Sequence, residues 1–114
     1  MNQDLQIEIV DPGTEVALIG RLDTRTASRA RASLQEAIDG ATGDLVLRAD
    51  RLVIWDSTGL GVLVGAYRRG RQRGRRLVLR GVGTREVRLL RRTRLDRLVR
   101  VEPREIPHWV PCSG

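Results

Sequence analysis

In the run Ile54-Trp55-Asp56-Ser57-Thr58-Gly59-Leu60-Gly61, one carboxylate and two hydroxyls stand between an apolar triplet and an apolar stripe at helical spacing. Where a strand becomes a helix, Ser57 or Thr58 falls near the N-cap, with the free N–H groups of the first turn facing its oxygen. A hydroxyl there can accept a phosphoryl group. The N–H groups and the positive end of the helix dipole would receive the dianion, and the surface would gain about −1.5 to −2 charges. The same residues also read as a plain helix cap, with glycines that allow close packing. Neither Asp56 nor Asp23 has a His, Cys or Lys base near it in sequence, and His108 lies among prolines, so these residues do not argue for an enzyme.

The elements that must position this run follow from periodicity. Leu5, Ile7 and Ile9 alternate with polar positions, Asp11-Pro12-Gly13 signals a turn, and Glu15 to Gly20 completes an opening hairpin. Asp23-Thr24 offers an N-cap to a helix whose apolar positions are Ala27, Ala30, Leu34, Ala37 and Ile38, ending near Asp39-Gly40. Leu45-Val46-Leu47 reads as a covered strand, and Leu52-Val53-Ile54 leads into the hydroxyl run. Leu60, Leu63, Val64 and Tyr67 form the stripe of a second helix that closes near Arg73-Gly74. Leu77 to Leu79 is the next strand, Thr84 to Arg92 a third helix with Val87, Leu89 and Leu90 inward, and Leu98 to Val101 the last strand. The predicted order, β-β-α-β-α-β-α-β, gives an α/β domain with a mixed sheet and right-handed crossovers between the later strands.

Charge is distributed unevenly. All 21 basic residues are arginine, against 14 acids, for a formal +7. Residues 1 to 67 carry 6 arginines and 10 acids, net −4, whereas residues 68 to 104 carry 15 and 3, net +12. Such a field attracts nucleic acid, anionic lipid or an acidic protein surface, and arginine stems also cover apolar surface on an ordinary solvated helix. No stretch approaches the roughly 20 apolar residues of a spanning helix. The opening MNQDLQIEIVD has acid where a signal peptide has base, and the lone Cys112 can form no internal disulfide, so a cytoplasmic location is expected.

Asp56-Ser57-Thr58-Gly59-Leu60-Gly61-Val62-Leu63, preceded by Gly20-Arg21-Leu22-Asp23 and followed by a helix ending Thr93-Arg94-Leu95-Asp96, resembles a STAS domain of the anti-sigma factor antagonist type. The resemblance implies a single STAS-like domain over residues 1–102, with a Pro-containing tail over 103–114 in place of the usual C-terminal helix. It implies that Ser57 is phosphorylated by an anti-sigma factor with serine kinase activity. The unphosphorylated antagonist would bind that factor and release the sigma factor; phosphorylation would break the complex and a PP2C-type phosphatase would restore it. No resident cofactor or metal is implied, since the kinase brings ATP and Mg²⁺.

Within that frame Thr58 orients or caps and is the second choice of acceptor. Asp56 lies beside the hydroxyl, and Asp23 belongs to the same acidic surface. Gly59 and Gly61 let the helix start approach a partner, with Arg21 and Leu60 beside them as contacts. Three features depart from the family: Arg21 where an acid is usual, the arginine-dense segment from the second helix onward, and the tail, which leaves Ile106, Trp109 or Val110 to cover apolar surface. Two other uses stay open. One is a non-switching STAS accessory subunit of an ABC-type lipid transporter or signalling assembly. The other is nucleic acid association, although Trp55, Tyr67 and Trp109 are the only aromatics and no dedicated nucleic acid site is expected. Trp55 and Tyr67 are expected to serve packing.

Overall fold

A computed structural model describes residues 4–104. Along the chain run β1 (Leu5–Asp11), β2 (Glu15–Leu22), α1 (Ala27–Asp39), β3 (Leu45–Arg48), β4 (Leu52–Ile54), α2 (Ser57–Gln72), β5 (Leu77–Val82), α3 (Thr84–Arg92), a 3₁₀ turn (Leu95–Arg97) and β6 (Arg100–Pro103). The sheet is mixed, in the order β1-β2-β3-β5-β6, with β1 antiparallel to β2 and the other pairings parallel. β3 and β4 lie end to end along β2: residues 15–17 pair with 46–48, and 20–22 with 52–54. A tight step separates them, in which the Leu52 N–H donates to the Ala49 carbonyl at 3.2 Å. The triplet that leads into the hydroxyl run is thus a short strand of its own, held in register by β2.

The parallel crossovers advance one way, from β2 to β3 to β5 to β6, and right-handed crossovers in one direction put their helices on one face. Val16, Leu18 and Leu22 of β2, Leu45 and Leu47 of β3, and Leu77 and Leu79 of β5 meet the helices there in a single core. In α1 the expected positions Ala27, Ala30, Leu34, Ala37 and Ile38 are all buried. The buried face of α2 is Gly59, Val62, Leu63, Ala66 and Gly70, whereas Leu60, Val64 and Tyr67 lie at its half-buried margin. Small residues let α2 approach the layer beneath closely, so its inward face is offset from the stripe of large side chains. Each fully buried leucine or isoleucine here contributes about 1.5–3 kcal/mol.

Two boundaries differ from expectation. α1 begins at Ala27, because Asp23 to Thr26 form a turn before it. The last strand begins at Arg100 and not at Leu98: Arg94 takes a left-handed φ of 63° and the chain tightens into the 3₁₀ turn, which buries Leu95 and Val99 and leaves Leu98 exposed. β6 runs through Pro103, whose missing N–H is tolerated on an edge strand. The expectations for Ile106, His108, Trp109, Val110 and Cys112 lie outside the described residues.

One arginine of the basic segment is structural. Arg75, buried to 5% exposure, donates to the carbonyls of Ala37 (2.9 Å) and Ile38 (3.0 Å) at the end of α1, and to those of Gly43 (2.8 Å) and Gly13 (2.6 Å). It satisfies helix-end acceptors that would otherwise be orphaned under the loop.

Candidate functional site

Because Leu22 and Ile54 are register partners, the turn after β2 and the turn after β4 lie side by side. The Trp55 N–H donates to the Leu22 carbonyl at 3.0 Å, tying them together. Gly59 is buried against the same peptide, and a Cβ there would stand 2.2 Å from the Leu22 oxygen. The role expected for Gly59 is therefore corrected: it lets α2 approach β2, not a partner. Gly61, one turn-position on, is exposed with open space around it.

The N-cap of α2 is Asp56, in extended backbone, so Ser57 and Thr58 are the first two helical residues rather than the cap itself. A carboxylate offers two acceptor oxygens, and both are used. Oδ1 accepts from the Gly59 N–H at 2.9 Å, while Oδ2 accepts from the Thr24 N–H at 3.1 Å and the Thr24 hydroxyl at 3.0 Å. The Gly59 N–H foremost, with those of Thr24 and Thr58, holds the Asp56 carboxyl below the usual carboxylate range. Thr58 Oγ1 lies 3.3 Å from the Thr24 hydroxyl and is tied into this cluster. Ser57 is exposed, and its hydroxyl has no hydrogen-bond partner among the described residues.

Asp23 does not contribute to an acidic surface. It is 4% exposed, and its Oδ1 accepts from the N–H groups of Arg25 (2.9 Å) and Thr26 (3.1 Å). The Thr26 hydroxyl donates to the Arg21 carbonyl at 2.8 Å and accepts from the Asp23 N–H at 3.0 Å. This carboxylate is consumed by its own turn.

Beside Ser57 a pocket of about 320 Å³ opens between the starts of α2 and α3, walled by Trp55, Ser57, Leu60, Arg85 and Leu89. Trp55 is 54% exposed, and the Arg21 guanidinium lies over its ring at 3.9 Å from the centroid. Arg85 Nη1 donates to Glu86 at 3.0 Å and lies 3.4 Å from the Ile54 carbonyl; buried Glu86 accepts from the Ile54 N–H at 3.3 Å. Arg85, Glu86 and the bridging role of Thr24 were not foreseen. Thr24 could have been found from the alignment of the two strand ends, whereas the pocket's far wall comes from a crossover that no local pattern reports. Among the described residues no group of three or more His, Cys, Asp and Glu side chains could hold a metal ion.

The STAS domain model matches residues 4–105. An anti-sigma-B factor antagonist of Listeria monocytogenes is 34% identical over 104 residues, spanning 87% of this chain and 90% of that protein. The chain belongs to the STAS family of anti-sigma factor antagonists. A Staphylococcus aureus anti-sigma-B factor antagonist is 31% identical over 101 residues, covering 89% and 94% of the two chains. The crystal structure of an anti-sigma factor antagonist from Mycobacterium paratuberculosis superposes with a TM-score of 0.66 at 26% identity, over 87% of this chain and 84% of that one. Family membership makes this STAS domain a regulator that works by exchanging protein partners.

Two groups stand out among its arginines. In one, Asp39 takes Arg69 (2.6 Å) and Arg73 (3.0 Å), Asp44 takes Arg76 (2.8 Å), and Glu102 takes Arg80 (2.8 Å) and Arg100 (3.0 Å). In the other, Arg88, Arg91 and Arg92 of α3, Arg94 before the 3₁₀ turn and Arg97 within it are exposed and make no ion pair among the described residues. No helix of the described residues is long and apolar enough to cross a membrane.

Proposed function

We propose that this STAS protein is an anti-sigma factor antagonist switched by phosphorylation of Ser57. Unphosphorylated, it binds an anti-sigma factor with serine kinase activity and frees the sigma factor. The kinase transfers the γ-phosphoryl group of ATP to Ser57 Oγ, whose proton passes to a base on the kinase while ADP leaves. A PP2C-type phosphatase hydrolyses the ester and restores the hydroxyl.

The observation that carries this reading is the contrast between adjacent hydroxyls. Thr58 is engaged by Thr24, while Ser57 is exposed, unpartnered and on the rim of an open pocket. A dianion at the first helical position lies at the positive end of the α2 dipole, beside the N–H groups that Asp56 already engages, and leaves the buried core untouched, so the charge alters recognition and not folding. Arg21, Trp55, Leu60 and Gly61 border the acceptor and form the surface that the partner reads.

The test uses each serine-kinase-type anti-sigma factor of the source cell, purified, with ATP. Phosphate should appear on Ser57 by mass spectrometry and nowhere on Ser57→Ala, which keeps binding. Ser57→Asp should bind at least about tenfold more weakly, while its melting temperature stays that of the parent. Equal binding by the parent and Ser57→Asp would sink the proposal.

A further inference from the structure

We propose that Arg85 is an intramolecular clamp for phosphorylated Ser57: its guanidinium crosses the pocket between α2 and α3 and pairs with the phosphate. This rests on the reading of Ser57 as the phosphoacceptor and adds a device on a different element.

Ser57 and Arg85 wall one pocket of about 320 Å³ from opposite helices. Arg85 Nη1 is held by Glu86 and the Ile54 carbonyl, while Nε and Nη2 have no partner among the described residues. Those two nitrogens form the fork that matches two phosphate oxygens. The hold on Arg85 is weak, since its side chain is 64% exposed and its acidic partner is the adjacent residue. Glu86 keeps the Ile54 N–H when the arginine turns away, so the exchange strands no buried carboxylate. The charged groups that line the pocket are Asp56 and Arg85, with buried Glu86 behind the arginine. Arg21 lies over Trp55, where Asp23 stands 3.8 Å from it. Asp56 repels a neighbouring dianion, which leaves Arg85 as the counter-charge on the pocket wall. Once paired, the arginine and phosphate together lie across Leu60 and Leu89, closing the apolar surface beside the acceptor. Phosphorylation then covers a docking surface as well as adding charge.

The test needs no kinase. Phosphoserine is placed at position 57 of the full chain during synthesis, and its second ionisation is followed by ³¹P NMR. In the parent the midpoint should lie at least about one pH unit below that of Arg85→Gln. Arg88→Gln, which removes an exposed charge of the same helix, should keep the parent's midpoint. Coincident midpoints in the parent and Arg85→Gln overturn the clamp. So does an equal rise in Arg88→Gln, which would assign the effect to the general positive field. A second readout needs no variant: the Arg85 Nε–H resonance should move downfield and exchange more slowly only when Ser57 is phosphorylated, and an unmoved resonance also overturns the clamp. A chain that no kinase phosphorylates would remove the functional reading of Ser57 while leaving the NMR result intact, so the two failures are distinct.

Discussion

At the ends of β2 and β4 the chain makes the same move twice: an apolar strand, an aspartate, two hydroxyl residues within the next three positions, then a helix. The outcomes differ. After β2, Asp23 and Thr26 turn inward, are almost fully buried, and spend their oxygens on the backbone of their own turn. After β4, Asp56 caps the next helix and reaches across to Thr24, while Ser57 is exposed and its hydroxyl has no partner among the described residues. Spacing explains the difference. Four residues separate Leu22 from α1, enough for a closed turn, whereas Ile54 and α2 are two residues apart. The closed junction is scaffold for the open one, because its Thr24 orients Asp56 and Thr58.

Gly59 gives the largest expected effect, since the open junction exists only while α2 can rest on β2. In Gly59→Ala the new Cβ would meet the Leu22 carbonyl at 2.2 Å, backbone against backbone, with no flexible side chain to yield. We expect a loss of about 3 kcal/mol by urea denaturation. Gly61→Ala places its methyl in open space on the same helix and should gain about 0.5–1 kcal/mol. Equal effects would show that the two glycines share one role and that the closeness of the junctions is not what shapes the site.

The hydroxyls come next. Thr26→Val keeps shape but removes the acceptor of the Asp23 N–H and the donor to the Arg21 carbonyl inside a buried turn, which should cost about 2 kcal/mol. Ser57→Ala removes a hydroxyl without a partner and should stay within about 0.5 kcal/mol of the parent. Similar costs would mean that Ser57 is tied into the fold and is not a free acceptor.

What could be read in advance divides along the same lines. α1 was legible to the residue on its buried face, because Ala27, Ala30, Leu34, Ala37 and Ile38 follow one helical stripe. α2 was legible as a helix and in part in its orientation: Leu63 of the expected stripe is buried, but the rest of the inward face is Val62 with Gly59, Ala66 and Gly70, whose value is smallness, and hydrophobic periodicity does not weigh smallness. The hydroxyl run was found at the correct junction. The division of labour between Asp56, Ser57 and Thr58 was not, because it depends on Thr24 arriving from a neighbouring strand. Arg75 could not be told from Arg73 and Arg76 by sequence, since its burial follows from carbonyls that converge from two loops and the end of α1.

The smallest effect tests the ionised cap. Asp56 titrates below the ordinary carboxylate range because the charged form accepts the Gly59 N–H and, less strongly, the Thr24 groups. A carboxyl whose pKa is lowered on folding adds stability that is complete above its unfolded value, about 3.9, and is lost as pH falls through the folded value. Asparagine keeps the oxygen that caps Gly59 but loses the charge and sets an amide NH2 where Oδ2 accepted from Thr24, so Asp56→Asn should melt below the parent at pH 7. Asp39, Asp44 and Glu102 also titrate low because of their arginines, but they are common to both proteins and cancel in the difference. The gap in melting temperature should therefore shrink as pH falls from about 5 towards 3. A gap that stayed constant would assign the loss to the geometry of the amide. The bridge from Thr24 to Asp56 would then act through shape alone, and the open junction would owe its form to the closed one without help from charge.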